Sequence, residues 1–437
     1  MTAEAFVRDA RRSAASFGIA DLALAVVPLP FTNQPAEAIH AAAAGAIEQV
    51  IAGLTRESAD GAPPQEIVLL KDEHLTFIGA DALQAAERMD RTFLEYGWSD
   101  GLPTRPPTAG AVEAMLAGTR RDPDELIAVL EPGFGKATVR KLAANAVMAG
   151  CRPEHLPVLI AALQCLAEPA MHLRNKAMST GPHAPLVWVN GPIRARIGLN
   201  SGMCALGPGA PSFANTVIGR ALRLSMMNLG HCYPGVSDMD TIGSPAKYGM
   251  CVGENEERNP WTPYHVERGM AAEQSVVTVH FVYGLCELFD FASAEPNELL
   301  TVFASPPANL AQAATAMWLI GRRADPRYGT EEQEHHTLFV CPEHAALLAA
   351  GGFDKPGLRR ELFKAARIPF RLAMLNKERK AMEAARPDLM WLWESPETMV
   401  PVVEDPSCYE IVVVGGAAGR GTFFWGAGEP KSRAIED

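Results

Sequence analysis

The sequence lacks any CxxC pair: its eight cysteines, at 151, 165, 204, 232, 251, 286, 341 and 408, are scattered. Structural zinc sites draw their ligands from close pairs on tight turns, so this scatter excludes the common ones. No HExxH or HxxxH spacing is present either, which removes the specific signatures of a metal-binding helix face. The first residues contain no basic segment followed by an apolar core, so secretion has no support and a cytoplasmic protein with reduced thiols is expected. Basic charge is in deficit. With 39 Lys and Arg against 51 Asp and Glu, the formal charge is −12, which opposes sequence-independent binding to nucleic acid. The longest apolar runs, such as SVVTVHFVYGL at 275–285, fall short of a bilayer span, so no membrane partner is expected.

What remains is the composition of an ordinary globular chain, 48% hydrophobic and 21% charged. At 437 residues it exceeds what one core usually holds, so two or three lobes are expected. The element order reads as α/β, with mixed sheets covered by helices. An N-terminal lobe over 1–96 takes a helix at 4–17, a strand at 22–30, a helix at 36–54, a strand at 66–70 and a helix at 80–97. A central region over 97–330 opens with the turn-rich GWSDGLPTRPPT. A strand at 125–132, helices at 136–150 and 153–168, and a strand at 184–192 follow. From 198 to 260 the chain is rich in glycine around one helix at 215–230, the pattern of a functional loop system lining a cleft. Strands at 275–285 and 298–305 and a helix at 309–321 complete this region. The C-terminal lobe over 331–437 takes a strand and helix at 336–353, helices across 357–384 and a strand segment at 410–426.

The glycines of VVVGGAAGRG at 412–421 do not follow GxGxxG spacing, and too little chain remains for a βαβ unit, so no dinucleotide cofactor is expected. Cys151, in AGCRPEHLP, precedes a proline that fits the start of a helix. A thiol at such an N-terminus is drawn toward thiolate, and Glu154 is placed to move a proton. The alternative is a buried cysteine with Glu154 capping the helix. Cys204, Cys232 and Cys251 sit in similar glycine-rich surroundings, and spacing does not rank them. His231, Cys232, His265, Glu254, Glu256 and Glu257 contain metal-ligand chemistry without a specific spacing.

PAKYGMCVGENEERNPWTPYHVERG, at 245–269, mixes both signs of charge with Trp261 and Tyr264. Tryptophan usually buries most of its area, so charges beside it need partners, either one another or a ligand. A salt-bridge network and an active-site wall both satisfy that requirement.

The strings GWSDGLPTRPPT, NAVMAGCRPEHLPV, VNGPIRARIGLNSG, LGPG, ANTVIGRALRLSMMNLG and KYGMCVGENEERNPWTPYHVERG occur in that order. Together with LALAVVPLPF near the start and EIVVVGGAAG near the end, they resemble the bacterial proteins associated with the UGSC motif. No CGSC segment is present to anchor a redox role. The branch that the chain resembles implies a cofactor-free desulfhydrase of ergothioneine breakdown, which replaces the thiocarbonyl sulfur of a thiohydantoin propanoate with oxygen and releases sulfide. The resemblance implies attack on carbon by Cys151 or by a water that Glu154 activates, with His265 handling protons. Arg220, Lys247 and Arg268 would hold the carboxylate or the departing sulfur. Asn190, Asn228 and Asn255 would bind the ring edges, Glu254 would be among the binding and proton-handling groups, and Trp261 would pack on the ring. The expected partner is a small molecule, with self-association left open. A thiol-dependent oxidoreductase, a C–S lyase and a non-catalytic binding protein are the competing readings.

Overall fold

A computed structural model of the chain describes residues 2–3, 22–28, 35–56, 74–310, 318–319, 333–374 and 376–436, with positions 7, 10, 11 and 14. It forms two compact units, Met1–Ile78 and Gly79–Asp437. The strand expected at 66–70, and most of the helices expected at 4–17 and 309–321, lie outside the described residues.

In the first unit, Thr2–Ala3 pairs in parallel with Val26–Val27. Helix α1, Ala36–Thr55, follows, and Gln49 Oε1 on it accepts from the Val26 N–H at 3.1 Å. The alanine-rich sequence makes α1 a strong helix former, but only Ala46 is buried, and Ile47, Ile51 and Leu54 are exposed. By length and hydropathy this helix meets the criterion for a bilayer crossing, which the sequence reading assigned to no segment.

The second unit is α/β. It begins with α2, Ala82–Glu95, which was expected in the first lobe. Its frame is one mixed six-stranded sheet: β1 (Ala184–Asn190), β2 (Met250–Gly253), β3 (Val276–Phe289), β4 (His336–Val340), β5 (Tyr409–Val413) and β6 (Arg420–Ala434). The spatial order is β5-β4-β6-β3-β1-β2, with β5/β4 and β1/β2 parallel and the other pairs antiparallel. This sheet takes strands from both sides of residue 330, where a lobe boundary was expected.

All six strands place alternate residues in one inner cluster, as the period of two requires. It contains Leu186 and Trp188 of β1, Met250 and Val252 of β2, Val282, Phe339, Val412 and Phe424. The long β3/β6 ladder shifts register between Trp425 and Gly426 and between Ala427 and Lys431, irregularities that bend a ribbon. The sheet curls until its edges meet. Asn255, just past β2, donates its backbone N–H to Val413 O of β5 at 2.7 Å. Its side-chain amide reaches Gly415 O at 3.1 Å.

Helices cover the outer face. Helix α3 (Val139–Ala149) leads to α4 (Leu156–Leu166), which is buried along nearly its whole length and contacts β3 and β6. Helix α5 (Phe213–Asn228) crosses α3 and reaches β2. On the C-terminal side, Leu299 and Phe303 of α6 (Pro296–Leu310) share a core with Leu338, Ile411 and Phe423. Leu348 of α7 (Pro342–Ala350) and Leu358 and Leu362 of α8 (Lys355–Ala365) join them.

Two local readings change. The strand expected at 298–305 is part of α6, because Leu299 and Phe303, four residues apart, bury one helical face. The helix expected at 136–150 begins only at Val139, where the Thr138 side chain caps it by accepting from the Lys141 N–H. The preceding Gly135–Thr138 pairs instead with Leu126–Leu130.

Candidate active site

Position 254 continues the inward alternation of β2 and position 190 that of β1, so Glu254 and Asn190 point into the curled sheet, both fully buried. Asn190 Nδ2 donates to Glu254 Oε2 at 2.5 Å and to Glu256 Oε1 at 2.9 Å. The Tyr264 N–H adds a bond to Glu254 Oε2 at 2.8 Å, and Asn259 Nδ2 donates to Oε1 at 2.8 Å. Burial raises the Glu254 carboxyl above its ordinary value, against the opposing pull of Lys355 and these donors.

Lys355 opens α8, which Asp354 caps through the Gly357 N–H at 2.6 Å. That start carries the lysine inward until it is only 3% exposed. Its ammonium lies 3.8 Å from Glu254 Oε1, 3.3 Å from Glu267 Oε2 and 5.9 Å from the centre of the Tyr264 ring. Nζ nevertheless completes no hydrogen bond.

Tyr264 links this region to a second carboxylate. Its hydroxyl donates to Glu410 Oε2 at 3.0 Å and accepts from Arg268 Nε at 3.1 Å. Glu410 occupies an inward position of β5 and is fully buried. Burial alone would raise its carboxyl, but His335 Nδ1, at 2.7 Å, and the Arg268 guanidinium bonded to Oε1 hold it far below the usual range. The same burial and the adjacent carboxylate push the Tyr264 phenol well up.

His265, on the same short helix as Tyr264, is fully buried. Its Nε2 lies 3.3 Å from Ala272 O. A carbonyl only accepts, so Nε2 carries the proton and Nδ1, which is buried without a partner, keeps its lone pair.

The surrounding charges are closed on themselves. Arg194 pairs with Glu256 at 3.0 Å and grips both Glu257 oxygens at 3.2 and 3.0 Å. Asn255 fastens the sheet edges, and Trp261 donates Nε1–H to Phe353 O at 2.7 Å. These bonds fix both side chains in place.

The other sequence candidates are engaged elsewhere. Arg220 forms a two-point pair with Asp100 at 2.7 and 2.8 Å and also donates to Leu102 O and Pro103 O, which fixes the GWSDGLP loop. Asn228 donates to Trp98 O at 3.0 Å and to Asn145 Oδ1 at 2.8 Å. Lys247 is held by Asp238 and Asp240, each at 2.8 Å.

Cys151 needs the largest correction. It lies between two helices, following Gly150, the left-handed cap of α3 at φ 92°, and preceding Arg152, the N-cap of the expected helical start at Pro153–His155 that leads into α4. Its thiol is buried, donates to Val217 O at 3.3 Å, and is raised by burial and by the neighbouring Cys251. Glu154 is surface-exposed, 4.0 Å from Arg152. The cap comes instead from His155, whose Nδ1 accepts from the Arg152 N–H at 3.2 Å. Cys232 is likewise buried and bonded to Ala177 O, and among the described residues no three His, Cys, Asp or Glu are grouped to hold an ion.

Sequence reasoning missed Lys355, Glu410, His335 and Glu267. Glu410 alone carried a visible signal, as a charge at one alternate position of the otherwise apolar YEIVVV. A surface cavity lined by Phe134, Leu166, His172 and Arg174 includes none of these groups. The network brings together one carboxyl raised by burial, one held low by its cationic partners, and an ammonium between two carboxylates. Neither family models, nor curated proteins, nor solved structures give a match to this chain.

Proposed function

We propose that the protein is a cofactor-free hydrolase that exchanges the thiocarbonyl sulfur of a small anionic heterocycle, of the thiohydantoin propanoate type, for oxygen. The class of reaction rests on the ordered strings shared with UGSC-motif proteins. The observation that carries the assignment of groups is the buried Lys355 ammonium, which completes no hydrogen bond, beside a carboxyl that burial raises above its ordinary value.

In this reading Lys355, already flanked by Glu267 and Glu254, turns to the substrate anion the donors it has not used in a hydrogen bond. A water attacks the thiocarbonyl carbon and yields its proton to His265 Nδ1. The C–S bond then breaks as Glu254 protonates the departing sulfur and the added hydroxyl passes its own proton to that sulfur, so water and thiocarbonyl become carbonyl and hydrogen sulfide, and the proton on His265 returns to Glu254. Glu410 stays ionised and fixes Arg268 and Tyr264. The water route is preferred to covalent attack by Cys151, whose thiol is buried and raised. Incubation with thiohydantoin propanoate should remove thiocarbonyl absorbance and release sulfide in equal amount. Binding without sulfide release would assign the chain to the non-catalytic class.

A further inference from the structure

The second half of β3 has an open edge. Residues 276–282 are flanked by β1 on one side and β6 on the other, but β1 begins at Ala184 opposite Val282, so 284–289 pairs with β6 alone. The register fixes which backbone groups are left over. Asp290 donates its N–H to Gly419 O at 3.0 Å, and the antiparallel ladder alternates from there: Leu288 and Cys286 bond to β6, whereas Phe289, Glu287 and Leu285 turn their N–H and C=O groups outward. Arg420 O, opposite Phe289, accordingly faces β4, where it accepts from the Cys341 N–H at 3.1 Å. Among the described residues the only bond to this edge is that of the Cys286 thiol to Glu287 O, at 3.4 Å.

The side chains of Leu285, Glu287 and Phe289 share one face by the period of two, and there Leu285 is 50% and Phe289 63% exposed. Phe291, 66% exposed, extends the apolar surface, with its ring 6.0 Å from that of Phe289. Arg420 covers the two rings at 5.4 and 4.8 Å and pairs with Glu287 at 3.0 Å. Soluble proteins guard such an edge with lysine, proline or a bulge. GLCELF, at 284–289, contains neither residue, and the register of the ladder shifts only past Trp425, outside this stretch.

Alternating outward N–H and C=O groups are matched by another strand, and the residues specify which. We propose that 285–289 is the interface of a homodimer, in which the edges of two β3 strands pair antiparallel about a two-fold axis at Glu287. That axis sets Leu285 of each copy opposite Phe289 of the other, an aliphatic–aromatic cross-strand pair of the favourable kind. Glu287 faces its own copy, and each carboxylate already has Arg420 beside it, so the charges at the axis cancel. Three outward residues on each side make a small contact, so the dimer is weak and reversible. The interface shares no residue with the Glu254 network and is independent of the hydrolase reading.

The test is sedimentation velocity of the full chain from about 5 to 500 µM, where a dimer half-dissociated at about 10 to 100 µM is expected. Phe289→Lys and Leu285→Lys should each weaken it by at least about thirtyfold, because each change counts twice in a two-fold contact. Glu287→Gln should tighten it about threefold by removing the like charges that face each other. Directly opposed residues of a hydrogen-bonded antiparallel pair have α-carbons about 5.5 Å apart, within reach of a disulfide. Glu287→Cys should therefore cross-link at 287 on mild oxidation, as read by peptide mapping, and circular dichroism checks the fold of each variant. The proposal is overturned if the chain stays a monomer at the highest concentration or if the dimer survives both lysine substitutions. It is equally overturned if oxidised Glu287→Cys links only through the native Cys204 or Cys286.

Discussion

The ammonium of Lys355 lies 3.8 Å from Glu254 Oε1, with both side chains buried and no hydrogen bond completed at Nζ. Glu267 Oε2 lies nearer, at 3.3 Å, again without a completed hydrogen bond, so donors remain for a substrate anion. Lys355→Met should therefore lower desulfurisation by about a hundredfold, the scale of losing one preorganised electrostatic contact. The midpoint of thermal unfolding should move by only a few degrees, because Glu254 can hold a proton and Glu267 keeps Arg359. Steady-state sulfide release and a thermal melt read the two effects separately, and unchanged release contradicts the role given to Lys355.

Glu254 and Glu410 should leave opposite marks on the pH dependence of stability. Glu410 is lowered in the folded state, so its contribution is present above the unfolded carboxyl value near ~4.3 and is lost as pH falls through the folded value. Glu254 is raised, so its contribution is present below that value and is lost as pH rises through the folded one. Urea unfolding across pH should show Glu410→Gln flattening the loss of stability on acidification and Glu254→Gln removing a loss of stability as pH rises toward neutrality. Glu410→Gln should also cost about 3–5 kcal/mol at neutral pH, since Arg268 and His335 lose their anion. Identical pH slopes in all three proteins would exclude the opposed assignment.

Cys151→Ser and Cys151→Ala should keep turnover within about threefold, with Ala destabilising by about 1 kcal/mol through the lost contact to Val217 O. Folded variants without turnover would restore the thiol as nucleophile.

The strands and helices were largely legible in the sequence because their signals are local. The apolar runs at 184–190 and 276–282 form β1 and the buried half of β3, and the apolar spacing at 215–228 forms α5. The 298–305 segment misled because Thr301 and Val302 favour strands, whereas burial of Leu299 and Phe303 follows the helical period. The site was legible only in half. Glu254, His265 and Arg268 lie in one charged stretch beside Trp261, which is a local anomaly. Their partners are remote: Tyr264 meets Glu410 across 146 positions, a pairing that curling of the sheet creates and no spacing rule contains. The same holds for Arg220, whose guanidinium is claimed by Asp100, 120 positions away, whereas Lys247 pairs with Asp238 and Asp240 close by in the chain.

Asn255 ties the two sheet edges, so Asn255→Ala should cost about 1–2 kcal/mol through the lost bond to Gly415 O. Hydrogen exchange should quicken at the amides of β2 and β5 more than at those of β3. Uniform exchange rates across the sheet would show that the edge contact contributes little.

The most direct measurement is sulfide release from thiohydantoin propanoate by the purified chain after exhaustive dialysis against a chelator. The account predicts one sulfide for each thiocarbonyl lost, with loss of turnover in Glu254→Gln and retention in Cys151→Ser. Absence of sulfide from the folded wild-type chain, or full turnover in Glu254→Gln, would contradict it.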